Sequence, residues 1–138
     1  MVDALSVVEQ LVAATNAHDR DAVVGCFAPD YANETPAHPA RGFRGREQVR
    51  RNWKTIFAAV PDITARVVAT AVDAGRVWTE WEMNGIRRDG TPYAVAGVII
   101  FGIAGNEIVS ARFYLEPVDT HSGDVDAAID RLMTRPAP

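Results

Sequence analysis

The stretch from residue 76 to residue 103 reads RVWTEWEMNGIRRDGTPYAVAGVIIFGI. Two apolar-rich segments, 76–86 and 93–103, flank Arg-Arg-Asp-Gly at 87–90, and an Asp-Gly pair in this setting is typical of a β-hairpin turn. Successive side chains of a strand point to opposite faces, so each segment presents two faces. The stretch therefore predicts two long antiparallel strands joined by a tight turn.

The segments on either side extend this pattern. Residues 63–73 and 107–118 are also rich in strand-forming residues, and turn sequences, Asp73-Ala74-Gly75 and Gly105-Asn106, separate them from the hairpin. Residues 124–134 carry apolar side chains at helical spacing, which predicts a closing helix. The second half of the chain is therefore predicted to be a four-stranded meander followed by one helix.

The first half of the chain has a helical pattern. Apolar residues at helical spacing predict helices over 3–17 and 46–60, with a shorter helix ending at Cys26. Prolines and glycines in 33–45 predict a loop with room for one short strand. Helices that precede an antiparallel meander indicate the α+β class.

Composition and charge exclude several classes of protein. The 138 residues carry a formal net charge of −4, which argues against a general binder of nucleic acid or of anionic membranes. No apolar run approaches the roughly 18 residues of a membrane span. The N-terminal MVDALSVVEQ lacks signal-peptide character, and a single cysteine, Cys26, suits a reducing compartment. We therefore expect a cytoplasmic protein.

The faces of the strands predict which side of the sheet is covered. In 76–86 one face holds Val77, Thr79, Trp81 and Met83, and the other holds Trp78, Glu80, Glu82 and Asn84. The first set is expected to face the helices. The segment 93–103 is apolar on both faces, so both need cover. A homodimer through the outer face supplies it, and the alternative is cover by the C-terminal helix.

Several motifs resemble those of a known family. The order is a short helix followed by Phe27-Ala28-Pro29-Asp30-Tyr31, Gly45 before a helix that ends ahead of Pro61-Asp62, and strands that end in Arg112-Phe113-Tyr114. This order resembles the nuclear-transport-factor-2-like superfamily, in particular its SnoaL-like polyketide cyclase branch. The resemblance implies a cone-shaped half-barrel, in which a curved, mainly antiparallel sheet wraps around the N-terminal helices and leaves an apolar cavity. The resemblance covers about residues 3–118, chain length predicts a single domain over 1–134, and residues 135–138 are expected to form a free tail.

The resemblance also identifies positions where catalytic groups are expected. SnoaL-like cyclases and limonene-type epoxide hydrolases carry an Asp after the Arg of the last strand, and the matching residue here is Phe113. The epoxide hydrolases carry an Arg and an Asp at positions that match Trp81 and Met83. The residues at these positions depart from the pattern of both enzymes.

Other residues remain as candidates for chemistry. The catalytic candidates are Tyr31 and Asn33, which lie where related enzymes place polar groups, and His38, which lies in a loop at the cavity rim. Turn chemistry and an ordinary surface histidine are the alternatives. The candidates for binding are apolar residues that equally suit a plain core: Trp53, Trp81, Met83, Val95, Ile99, Phe113 and Leu115.

The remaining features give weaker indications. The basic cluster of residues 41–54 suggests either the solvated face of a helix or an anionic substrate. Three scattered histidines and one cysteine show no metal-ligand spacing, and no phosphate loop is present, so we expect no metal and no cofactor.

Three functions are compatible with this sequence. The first is a cofactor-independent cyclase or isomerase that acts on a polyketide-, terpene- or steroid-like carbonyl compound, with an epoxide hydrolase less favoured. The second is non-catalytic binding of a small hydrophobic molecule. The third is an accessory dimer whose cavity is filled by its own side chains.

Overall fold

The secondary structure follows the predicted order. A computed structural model describes residues 3–134. The first half of the chain contains α1 (Ala4–Asn16), α2 (Arg20–Gly25), β1 (Phe27–Glu34), a 3-10 turn (Pro39–Arg41), β2 (Phe43–Arg44) and α3 (Arg46–Ala59). The second half contains β3 (Thr64–Asp73), β4 (Arg76–Ile86), β5 (Pro92–Ala104), β6 (Glu107–Pro117) and α4 (Val125–Thr134). The predicted free tail, 135–138, lies outside the described residues.

The six strands form one mixed, curved sheet that does not close into a barrel. The strand order is β2-β1-β6-β5-β4-β3. Strands β3 to β6 form the predicted antiparallel meander, whereas β1 runs parallel to β6. The first strand of the chain is therefore hydrogen-bonded to the last one. This pairing makes the N-terminal half of the chain part of the same unit as the meander.

Strand β1 is where the sequence-based prediction was wrong. The loop predicted for 33–45 begins later, because the main chain of Phe27–Glu34 is extended and pairs with β6. Pro29, which has no amide hydrogen, lies where the register between the two strands shifts, between Phe27 and Ala32. Proline is tolerated at such an irregularity because no ladder hydrogen bond is lost there. The short strand β2 lies inside the predicted loop.

Helix α3 begins and ends where the sequence predicts. Gly45 has φ +98°, a left-handed conformation that favours glycine, and it turns the chain from β2 into the helix. Pro61 follows the last turn and prevents its continuation. Between these two points Val49, Trp53 and Phe57 lie on the face that packs against the core.

The strand register predicted from side-chain alternation is confirmed. On β4, Val77, Thr79, Trp81 and Met83 are each at most 7% exposed and pack under the helices. We call this side of the sheet the inner face. On the other side, the outer face, Trp78 and Tyr114 are 43% and 42% exposed.

Helix α4 contributes nothing to the core. Its four large apolar side chains, Val125, Ile129, Leu132 and Met133, are between 53% and 73% exposed. The alternative in which this helix covers the outer face is not observed, since Trp78 and Tyr114 also remain exposed. No helix within residues 3–134 combines the length and apolar character that a membrane crossing requires.

Candidate ligand cavity

A small cavity lies between the helices and the inner face of the sheet. Its volume is about 50 Å³. The lining side chains come from α1, α3 and the strands β1, β4, β5 and β6: Leu11, Thr15, Phe27, Trp53, Trp81, Met83, Ile99, Phe101 and Phe113. Eight of the nine are apolar, and none is ionisable.

Most of the predicted binding residues line this cavity. Trp53, Trp81, Met83, Ile99 and Phe113 all belong to its wall. Val95 and Leu115 do not, and instead pack half-buried against the core. The alternation of the strands brings these seven side chains to the inner face or, for Trp53, to the helix above it.

Sequence reasoning missed four wall residues. Leu11 and Thr15 belong to the apolar stripe of α1, and Phe101 shares a strand face with Ile99, so their patterns carried a usable signal. Phe27 was missed for a different reason, because it depends on the strand β1 that the sequence did not reveal.

Two polar groups of the cavity wall, the Trp81 indole N–H and the Thr15 hydroxyl, are hydrogen-bonded within the chain. Trp81 Nε1 donates to Thr79 Oγ1 at 2.6 Å, and the Thr79 hydroxyl donates to the Ile99 carbonyl at 2.6 Å. The Thr15 hydroxyl donates to the Leu11 carbonyl at 2.8 Å. Burial without these partners would cost roughly 1–3 kcal/mol for each group, so they hold the wall in one arrangement.

Tyr31 and Asn33 form a buried pair close to the cavity and outside its wall. Tyr31 is 1% exposed and its hydroxyl donates to Asn33 Oδ1 at 2.7 Å. The ring of Tyr31 meets Phe27, a wall residue, edge-on at 4.7 Å between centroids. Desolvation by burial raises the pKa of the Tyr31 phenol, so the hydroxyl stays protonated and remains a donor. Among residues 3–134, the hydrogen bonds of the Asn33 side chain engage only its oxygen.

His38 lies apart from this pair. Its Nε2 is 2.8 Å from Glu116 Oε1, and Glu116 belongs to the outer face. Glu34 makes a similar contact with Arg112, with 3.0 Å between Glu34 Oε2 and Arg112 Nη1. The three predicted catalytic residues are therefore not brought together, since Tyr31 and Asn33 lie on the inner side. Glu116 is 78 residues from His38 in the chain, and nothing local in the sequence indicates the contact.

The basic cluster divides into paired and unpaired cations. Arg50 lies 2.9 Å from Asp21 of α2 and 3.5 Å from Glu47. Lys54 and Arg51 line an open groove on the far side of α3 instead. Within residues 3–134 no group of three His, Cys, Asp or Glu side chains is placed to hold a metal ion.

Sequence comparison identifies the family. The family model described as the SnoaL-like domain matches residues 8–111, which is most of the chain. The chain belongs to the SnoaL-like domain family. No curated protein matches it.

Solved structures place this SnoaL-like domain in the cone-shaped, nuclear-transport-factor-2-like fold. IdmH of Streptomyces antibioticus, a proposed polyketide cyclase, aligns with a TM-score of 0.70 and 20% identity over 81% of this chain and 91% of its own. A Catenulispora acidiphila protein with a ketosteroid isomerase-like fold, in complex with trimethylamine, aligns with a TM-score of 0.67 and 21% identity over 84% of this chain and 86% of its own. A proposed polyketide cyclase of Sinorhizobium meliloti aligns with a TM-score of 0.63 and 22% identity over 80% of this chain and 94% of its own. At these identities the likeness establishes the α+β half-barrel and no activity.

Proposed function

We propose that this SnoaL-like domain binds a small apolar molecule in its inner cavity without supplying a proton-transfer group from the cavity wall. The observation that carries the proposal is the composition of the wall, in which none of the nine side chains is ionisable. The Thr15 hydroxyl and the Trp81 indole N–H are also engaged in hydrogen bonds within the chain. Such a wall selects a ligand by shape and apolar contact.

The size of the cavity limits the ligand. About 50 Å³ is less than the roughly 150 Å³ of an engineered cavity that holds benzene. A ligand must therefore widen the space. Trp53 of α3 and Phe113 of β6 are the wall residues that are only half-buried, so they are the ones with room to move.

Calorimetric titration with benzene, indole and a monoterpene ketone tests the proposal. We expect saturable binding of at least one probe, with one site per chain. Phe113→Trp fills the cavity and is expected to weaken binding by about tenfold or more. Tyr114→Trp is the matched control, because it makes the same kind of residue at the next position on the outer face, and it should leave binding unchanged. Absence of binding to every probe, or equal effects of the two variants, would contradict the proposal.

A cyclase or isomerase is the second candidate, and the buried Tyr31–Asn33 pair favours it. The free amide N–H groups of Asn33 suit donation to a substrate carbonyl, and the protonated Tyr31 holds the amide in place. Two fold relatives are described as proposed polyketide cyclases. If this candidate is correct, the wild-type protein converts the ketone during the titration. Asn33→Ala should then abolish the conversion and leave binding of the ketone intact. The matching positions Trp81 and Met83 offer no carboxylate for an epoxide hydrolase.

We also propose that the outer face forms a homodimer. Trp78 and Tyr114 flank the apolar pair Val98 and Ile100 at its centre. Trp78→Glu is expected to raise the dimer dissociation constant about tenfold or more in light-scattering measurements. Val72→Glu is the control and should leave the dimer dissociation constant unchanged. Val72 is an exposed apolar residue of β3 whose register places it on the inner face. We propose a cytoplasmic location, because a single cysteine, Cys26, suits a reducing compartment.

A further inference from the structure

Helix α4 is an amphipathic helix without a partner in its own chain. It has ten residues, and an isolated helix of fewer than about 12–15 residues is marginal in water. Its apolar stripe nevertheless remains more than half exposed along its whole length. Such a helix is stable when another surface covers the stripe, so the identity of that surface is the question.

The charges on α4 indicate what the surface must look like. Asp126 and Asp130 are four residues apart, so they lie along one edge of the apolar stripe. Neither makes an ion pair with any residue in 3–134. Arg131 lies on the other side of the helix. The pKa of Asp119 is lowered mainly by hydrogen bonds from His121 and Ser122, and the charge of Arg131 lowers it further. A complementary surface is apolar in its centre and cationic along one border.

A groove beside α3 combines small side chains with cations. We call it the α3 groove, and its lining residues are Arg51, Lys54, Thr55, Ala58, Ala59 and Arg88. The five α3 residues follow the spacing i, i+3, i+4, i+7, i+8 of a single helix face. Small side chains form the floor, which allows another helix to approach closely.

The cations of the α3 groove have no carboxylate partner in the described chain. Arg51 donates to Gln48, and Arg88 Nε donates to the Ala58 carbonyl at 2.5 Å, which fixes the β4–β5 turn against α3. Among residues 3–134 no acidic side chain lies within ion-pair distance of Arg51, Lys54 or Arg88. Three cations are therefore available to an acidic helix.

The other apolar surfaces fit α4 less well. A groove between α1 and β3 contains Leu5, Val8 and Val12, and its charged borders are Glu9 and Arg66. Glu9 repels the acidic edge of α4, and Arg66 is already paired with Glu82 at 2.6 Å. On the outer face Arg112 and Arg66 are already paired with Glu34 and Glu82, and Glu80 adds a carboxylate that has no ion pair among residues 3–134.

We infer that α4 of one copy docks in the α3 groove of a second copy, and that the exchange is reciprocal. One chain carries both complementary halves, so a twofold pair makes the contact twice. The segment that leads to α4 is held on its own sheet, where the Val118 amide donates to the Ala94 carbonyl at 2.9 Å, while the apolar side chains of α4 stay more than half exposed. This contact is separate from the proposed outer-face dimer and from ligand binding.

Charge reversal with reciprocal rescue tests the inference by light scattering over a range of concentrations. Arg51→Glu with Lys54→Glu, and separately Asp126→Lys with Asp130→Lys, should each raise the dissociation constant of one association step about tenfold or more. All four substitutions together should restore it. Truncation after Ser122 should remove that step, and Arg41→Glu with Arg44→Glu is the control for a change of charge outside the groove.

Two outcomes would overturn the inference. One is an unchanged dissociation constant in the groove variants and the truncated chain. The other is charge reversal that the combined variant does not rescue. Circular dichroism melts confirm that each variant is folded. Trp78→Glu distinguishes this contact from the outer-face dimer. If Trp78→Glu loses association and the groove variants and the truncated chain do not, the result supports the outer-face dimer and counts against α4 docking.

Discussion

Replacement of Trp81 by alanine lowers the free energy of unfolding by about 3–5 kcal/mol. The indole is 3% exposed and packs edge-on against Phe101, with 6.2 Å between ring centroids. Its removal enlarges the cavity and takes away the donor that Thr79 Oγ1 accepts from. Urea denaturation of the monomer, followed by circular dichroism, measures the loss.

Trp78→Ala is the matched control for this prediction. Trp78 lies three residues earlier on the same strand but on the outer face, where it is 43% exposed. Its truncation in the monomer should cost about 1 kcal/mol or less, because little packing is lost and no cavity forms. Equal losses for the two tryptophans would show that the inner and outer faces are wrongly assigned.

Introduction of a carboxylate at residue 113 has the second large effect. Phe113 occupies the position where the family resemblance implies a catalytic Asp, and here it lies among Trp53, Trp81 and Met83. Burial would raise the pKa of an Asp in Phe113→Asp above its unfolded value of about 3.9, and a rise of about two units destabilises the fold by roughly 3 kcal/mol at neutral pH. This penalty adds to the loss of the ring.

The pH dependence isolates the electrostatic part. A raised carboxyl pKa carries no penalty below the unfolded pKa, and the penalty grows as pH rises from about 4 to the folded pKa. Phe113→Asn introduces an uncharged side chain of nearly the same size as Asp. The free energies of unfolding of the two variants should therefore agree below about pH 4 and diverge above it. A difference that does not depend on pH would mean that the Asp at this position reaches solvent.

The register of the sheet was predictable because it depends on a local pattern. Side chains alternate with period two, and a shift by one residue would bury Glu80 and Glu82 and expose Trp81. The parallel pairing of β1 with β6 was not predictable in the same way. Its residues carry Pro29 and no clear alternation, and most of their pairing is with a strand about 80 residues later.

The candidate site was predictable in its residues and not in its size. Strand faces identify Trp81, Ile99 and Phe113 as inner, whereas the free volume depends on how the rings pack together. The contact between His38 and Glu116 depends on tertiary structure alone. The exposure of α4 was likewise hidden, since an amphipathic stripe predicts burial without identifying the surface that buries it.

The parallel pairing between β1 and β6 has a consequence for biosynthesis. On the side that faces β6, the main-chain groups of Phe27–Glu34 find their partners at residues 108–112, so this segment leaves the ribosome long before that neighbour exists. Long-range pairing of this kind slows folding. The nascent chain must therefore carry an unfinished sheet edge until β6 has been synthesised, and chaperones have most to protect during that interval.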